Sequence, residues 1–221
     1  MNWYLWANII TAVGALGGFI YGGVLFFRPR KAVYAQMITF AVGCMAFGRI
    51  YQVIRMLTIH DISSQFHLGF LGVIGSLLFL FSANYGAMDG LVDDKSKELR
   101  KYRIIPLAAP VLFLAIYLIF FLFSDQPLRV KIMTGVITVN VMHASYFNLK
   151  HLIFPDVEYG VIRCLKGYNL LALIFELLCV AEMLTMNRDL QVLTFVIGIL
   201  MGVVLPMMVI AVNRGGKKWS A

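Results

Sequence analysis

Residues 5–27 read LWANIITAVGALGGFIYGGVLFF, a run of 23 residues without a charged side chain. A helix rises about 1.5 Å per residue, so about 20 apolar residues cross the roughly 30 Å hydrocarbon layer of a membrane. This segment is therefore predicted to be a transmembrane helix.

The same pattern recurs along the chain, and short connections separate the segments. Short connections favour antiparallel packing of consecutive helices. The sequence thus predicts an all-α fold, in which residues 1–221 form one polytopic membrane bundle of seven helices. The predicted spans are 5–27, 36–59, 67–90, 104–123, 129–149, 167–186 and 190–212.

The composition excludes several classes of protein. Of 221 residues, 61% are hydrophobic and 14% are charged, against roughly 45–50% and about 25% in soluble domains. A soluble enzyme, a disordered chain and a secreted disulfide scaffold do not fit these values. The three cysteines show no paired spacing, and no metal or nucleotide motif is present, so we expect no cofactor.

Lysine and arginine are distributed unevenly between the predicted loops. Fourteen fall on one side of the membrane and three on the other, and basic loops remain cytoplasmic. The N-terminus is therefore predicted outside and the C-terminus inside. The cytoplasmic set is Arg28, Arg30, Lys31, Lys95, Lys97, Arg100, Lys101, Arg103, Lys150, Arg163, Lys166, Arg214, Lys217 and Lys218.

The net charge of +8 is explained by this one-sided distribution. We expect the basic face to attract anionic lipid, and nucleic-acid binding is not predicted. A cytoplasmic signalling partner could use the same face. The short loops and the absence of N-x-S/T sequons favour the inner (plasma) membrane of a bacterium.

Small residues repeat every fourth position in the first span, at Gly14, Gly18 and Gly22. This spacing lets helix backbones approach closely inside a membrane. Packing within the chain is the favoured interpretation, and a homodimer through the same stripe is the alternative.

Polar and charged side chains inside spans are costly and therefore indicate function. Arg49 and Gln52 lie in the second span, and Glu176 and Glu182 in the sixth. From the helical rise, Arg49 is about 20 Å from the cytoplasmic edge, and the two acids are about 14 and about 22 Å from it. We therefore predict that Arg49 pairs with one of these acids, either as a structural ion pair or as the anion anchor of a ligand site.

A second polar group is predicted in the inner half of the bundle. His143 and Asn140 lie on one face of the fifth span, and the third span carries Ser82, Asn84 and Asp89. His143 is expected to be either a hydrogen-bonded structural residue or a proton-linked one.

Three acids mark the inner end of the third span: Asp89, Asp93 and Asp94. Closely spaced carboxylates can hold Mg²⁺ against a diphosphate. The alternative is a solvated segment of mixed charge with pairs such as Asp93 and Lys97.

Three functions remain open. The first is a sensor or receptor-like module that binds a small ligand or ion within the bundle. The second is a small-solute or proton-coupled transporter, and the third is a Mg²⁺-dependent membrane enzyme acting on a lipid-linked phosphate. The first is preferred, because no transport or catalytic sequence pattern is present.

Overall fold

The computed structural model of this chain describes residues 2–29, 31–59, 68–90, 93, 95–155, 161–185 and 190–219. Throughout these ranges the regular secondary structure is helical. The helices are α1 (Trp3–Phe26), α2 (Val33–Thr58), α3 (Leu68–Asn84), α4 (Arg100–Phe123), α5 (Leu128–Ile153), α6 (Val161–Thr185) and α7 (Gln191–Trp219).

Five of these helices, α1, α2, α4, α6 and α7, are long and apolar enough to cross a membrane. They indicate a membrane protein, as the composition predicts. Helix α3 is apolar but has only 17 residues, and a π-helical turn at Tyr85–Asp89 extends it. Helix α5 is long but more polar, with Arg129, Lys131 and Lys150 among its residues.

Six helices form a closed ring in the order α1, α2, α3, α5, α6, α7, and α7 packs back on α1. The prediction that all consecutive helices are neighbours is wrong at α4, which packs against α5 rather than α3. The connection between α3 and α4 is long enough to let α4 pass outside the ring. Most of α4 is consequently exposed, and Phe123 at its end is 80% exposed. Such an apolar outer surface is suited to lipid.

The glycine stripe of α1 packs within the chain. A Cβ on Gly14 would lie 2.0 Å from the carbonyl oxygen of Gly202 in α7, and a Cβ on Gly18 would lie 2.9 Å from the Cα of Pro206. Gly22 faces Thr39 of α2 in the same way. These contacts agree with the favoured interpretation of the stripe, since a homodimer through it would have to displace α2 and α7.

Candidate functional site

A polar cluster near the predicted outer end of the bundle, called the outer cluster here, is built around a buried ion pair between α2 and α6. Both terminal nitrogens of Arg49 bond to the carboxylate of Glu182, Nη1 at 2.5 Å from Oε1 and Nη2 to Oε2. The two side chains are only 4% and 7% exposed. Of the two predicted partners of Arg49, the structure therefore selects Glu182. Two parallel bonds of this kind fix both distance and orientation.

Helix α1 completes this cluster. Arg49 Nη1 also donates to Asn8 Oδ1 at 2.9 Å, and Gln52 accepts from the same nitrogen at 3.4 Å. The amide of Gln52 in turn donates to the hydroxyl of Tyr4. Arg49 Nη2 also lies 3.7 Å from Met201 Sδ, so the guanidinium has partners on α1, α2, α6 and α7 near the predicted outer end of the bundle.

Glu176 is the centre of a second cluster, called the inner cluster here, which lies nearer the predicted cytoplasmic end of the bundle. It lies six residues before Glu182 on α6, which corresponds to about 9 Å along the helix. Its side chain is completely buried. Asn148 of α5 donates from Nδ2 to Oε1 at 2.5 Å, and Oε2 has no hydrogen-bond partner within the described residues. A buried polar atom without a partner is rare in native proteins and needs an explanation.

A chain of hydrogen bonds leads from Glu176 towards the predicted cytoplasmic end. Asn148 Oδ1 accepts from Asn84 Nδ2 of α3. Asn84 Oδ1 in turn faces His151 Nδ1 at 3.2 Å, and His151 Nε2 lies 3.4 Å from Asp89 Oδ1. Because each amide donates with one end and accepts with the other, the chain has one direction, and Asn84 takes its hydrogen bond from His151 Nδ1–H.

The π-helical turn explains why Asn84 and Asp89 both reach His151. In a π turn, residues five positions apart are joined and lie on the same side of the helix, whereas an α-helix would rotate them apart. The turn at Tyr85–Asp89 directly follows Asn84. It therefore aligns the two side chains on one face.

The acids at the inner end of α3 are paired with basic residues. The ammonium of Lys150 lies 2.6 Å from Asp89 Oδ1 and 2.7 Å from Asp93 Oδ2. Arg103 of α4 lies 3.2 Å from Asp93 Oδ1. The ammonium of Lys150 thus lies between the carboxylates that the sequence suggests for Mg²⁺. The described residues contain no group of three or more His, Cys, Asp or Glu side chains that could hold a metal ion. Asp94 lies outside the described residues.

We expect Lys150→Met to lower the free energy of unfolding by about 1–2 kcal/mol, because it leaves Asp89 and Asp93 close together without the cation between them. Lys97→Met, at an exposed position of the same charge, is the control and should change the stability by less than about 0.5 kcal/mol. Equal stability of the two variants would show that the ion network contributes nothing. Chemical denaturation monitored by tryptophan fluorescence measures both.

Comparison with known protein families, with curated proteins and with solved structures finds no match for this chain. The side chains and their contacts are therefore the basis for a functional proposal.

The structure does not bring His143, Asn140 and Ser82 into the inner cluster. His143 is exposed, and its Nδ1 faces the carbonyl oxygen of Val139 in its own helix at 2.7 Å. Asn140 likewise donates to the preceding turn of α5, and Ser82 is partly exposed. Asn84, by contrast, is buried and bonded to Asn148.

Sequence reasoning missed Asn148 and His151. Steps of three from Asn140 to His143 identify a face of α5 that points outward. The buried face instead runs through Val141, Ala144, Asn148 and His151. This spacing of three, four and three, with a small residue in it, is typical of a packed helix face and is visible in the sequence.

Proposed function

We propose that the protein is an integral membrane sensor or receptor-like module that binds a small ligand or ion in a polar site within its helix bundle. The observation that carries the proposal is the buried carboxyl of Glu176, whose Oε2 has no partner among the described residues. Ionisable groups inside membrane bundles mark binding sites or ion pathways. Asn148 and Asn84 would orient the carboxyl at this site.

The proposed topology has seven crossings, with the N-terminus outside and the C-terminus in the cytoplasm of a cell bounded by its inner (plasma) membrane. Seven helices and the fourteen-to-three bias of basic residues support it. On this topology the basic inner face would contact anionic lipid, and a cytoplasmic signalling partner would bind there.

The outer cluster has a different proposed role. Arg49 is already bonded to Glu182, Asn8 and Gln52, so an anion would have to compete with a bidentate carboxylate. We therefore assign this ion pair to the fixed packing of α1, α2 and α6 and place the binding function at Glu176.

A thermal-shift screen of the purified protein tests the binding function. The probes are pH between about 5 and 8, together with Na⁺, K⁺, Mg²⁺, ammonium, acetate and phosphate. A species that binds the folded state alone raises the melting temperature by mass action. We expect a response to at least one of these probes in the wild type, and loss of that response in Glu176→Gln.

His143→Leu is the control for this screen, since it changes an exposed ionisable residue of α5 and should keep the response of the wild type. A response that persists in Glu176→Gln would contradict the proposed site. A wild type that responds to none of the probes would contradict the proposed function itself.

A transporter is the second candidate function. The hydrogen-bonded chain from Glu176 through Asn148 and Asn84 to His151 favours it, because a transported ion needs polar groups at successive depths. Uptake of a responding probe into reconstituted vesicles, lost in Glu176→Gln, would support transport. Binding without uptake would support the sensor.

A further inference from the structure

The charged and titratable groups around Glu176 come from three helices. Its own helix provides the buried side chains of Tyr168 and Cys179. Helix α5 provides His151, which reaches Glu176 only through two asparagines. Helix α2 provides Arg49, whose bonds go to the other acid.

The two remaining neighbours of α6 contribute no charge at this depth. Helix α7 has no ionisable residue between Gln191 and Asn213, and α3 has none between Leu68 and Asn84. Within the described part of the chain, Glu176 therefore has no cation as a partner. An uncompensated carboxylate in such surroundings costs several kcal/mol, and a buried acid avoids this cost by holding a proton.

The donor arrangement favours a proton over a larger cation. The amide hydrogens of Asn148 point at Oε1, and a metal ion beside this oxygen would face their positive ends. Mg²⁺ and Ca²⁺ also require about six or more oxygen ligands, whereas the described residues place a single carboxylate, that of Glu176, against Asn148. A proton needs only the free oxygen Oε2.

The hydrogen-bonded chain defines the side from which the proton arrives. His151 is the first group along it that can accept and release a proton near neutral pH. It lies beside Asp89, whose side chain is 22% exposed at the inner end of α3. We infer that Glu176 is a proton-binding site, loaded in the folded bundle and exchanging its proton with the cytoplasmic side through water that reaches it past His151. The amides of Asn148 and Asn84 position the carboxyl and do not themselves carry the proton. This inference rests on the proposed binding site at Glu176 and names its ligand.

Infrared spectroscopy of the protein in lipid nanodiscs tests the inference. At neutral pH we expect a carbonyl stretching band of a protonated carboxylic acid in the wild type. The band should be absent in Glu176→Gln, which retains an oxygen to accept from Asn148. Transfer into D₂O shifts the band, and His151→Leu should slow that shift at least about tenfold. His143→Leu is the matched control and should leave the rate unchanged.

A second measurement does not depend on the band. If the folded state holds a proton that the unfolded state releases, the melting temperature falls as the pH rises above about 4.3, which is the ordinary pKa of a glutamate side chain. We expect this decline in the wild type, and a weaker one in Glu176→Gln.

The outcomes separate the inference from the proposed function. A band that survives in Glu176→Gln, or exchange that is equally fast in His151→Leu, would overturn the inference. If such a result came with a Glu176-dependent response to Na⁺, K⁺ or ammonium, the binding function would stand with a different ligand. If no probe and no pH change gave a response, both would fail.

Discussion

Glu182→Gln should lower the free energy of unfolding by about 3–5 kcal/mol, the range expected when one partner of a buried ion pair is removed. The change leaves Arg49, which is 4% exposed, without its counter-charge and removes the bidentate contact to α6. Reversible unfolding in detergent, followed by tryptophan fluorescence, measures the loss.

Glu98→Gln is the matched control, because it makes the same chemical change at an exposed position. It should alter the stability by less than about 0.5 kcal/mol. Replacing both partners, in Arg49→Met with Glu182→Met, should recover most of the loss, since no charge is then left buried. A stability of Glu182→Gln equal to that of the control would contradict the structural role of the pair.

Gly14→Ala should destabilise the bundle by at least about 2 kcal/mol, as overpacking of a rigid contact does. The added Cβ would lie 2.0 Å from the carbonyl oxygen of Gly202. This neighbour is backbone and cannot rotate away. Thermal unfolding of the variant in detergent measures the effect.

Gly17→Ala is the control within the same helix, since a Cβ there meets no atom within 4 Å. Alanine is the better helix former, so this variant should be as stable as the wild type or slightly more stable. If the two alanine variants unfolded alike, the tight contact between α1 and α7 would be wrong.

Much of the fold is predictable from the sequence, because the apolar segments are separated by charged connections. Each predicted span overlaps one helix. The ends differ where helices continue past the apolar segment, as α5 does to Ile153 instead of residue 149. The path of α4 was not predictable from connection length, since its packing on α5 depends on contacts between distant segments.

The candidate site was predicted in part. Comparing depths along two helices was sufficient to limit Arg49 to two partners, but only the structure distinguishes Glu182 from Glu176. The inner cluster was harder to predict from the sequence, because the π turn after Asn84 changes the face of the helix on which Asp89 lies. Steps of three singled out His143, and the predicted fifth span ended at residue 149, so His151 was not considered, although the helix continues to Ile153 and His151 is buried.

The central claim is that two acids on one helix have different roles: Glu182 stabilises the bundle and Glu176 binds. The most direct test measures the unfolding free energy and the pH response of melting in Glu176→Gln and Glu182→Gln together. We predict that Glu176→Gln retains the stability of the wild type to within about 1 kcal/mol and shows a weaker pH response than the wild type. Glu182→Gln should lose stability and, while it remains folded, retain the response. A Glu176→Gln variant that is as unstable as Glu182→Gln and still responds to pH like the wild type would contradict the account.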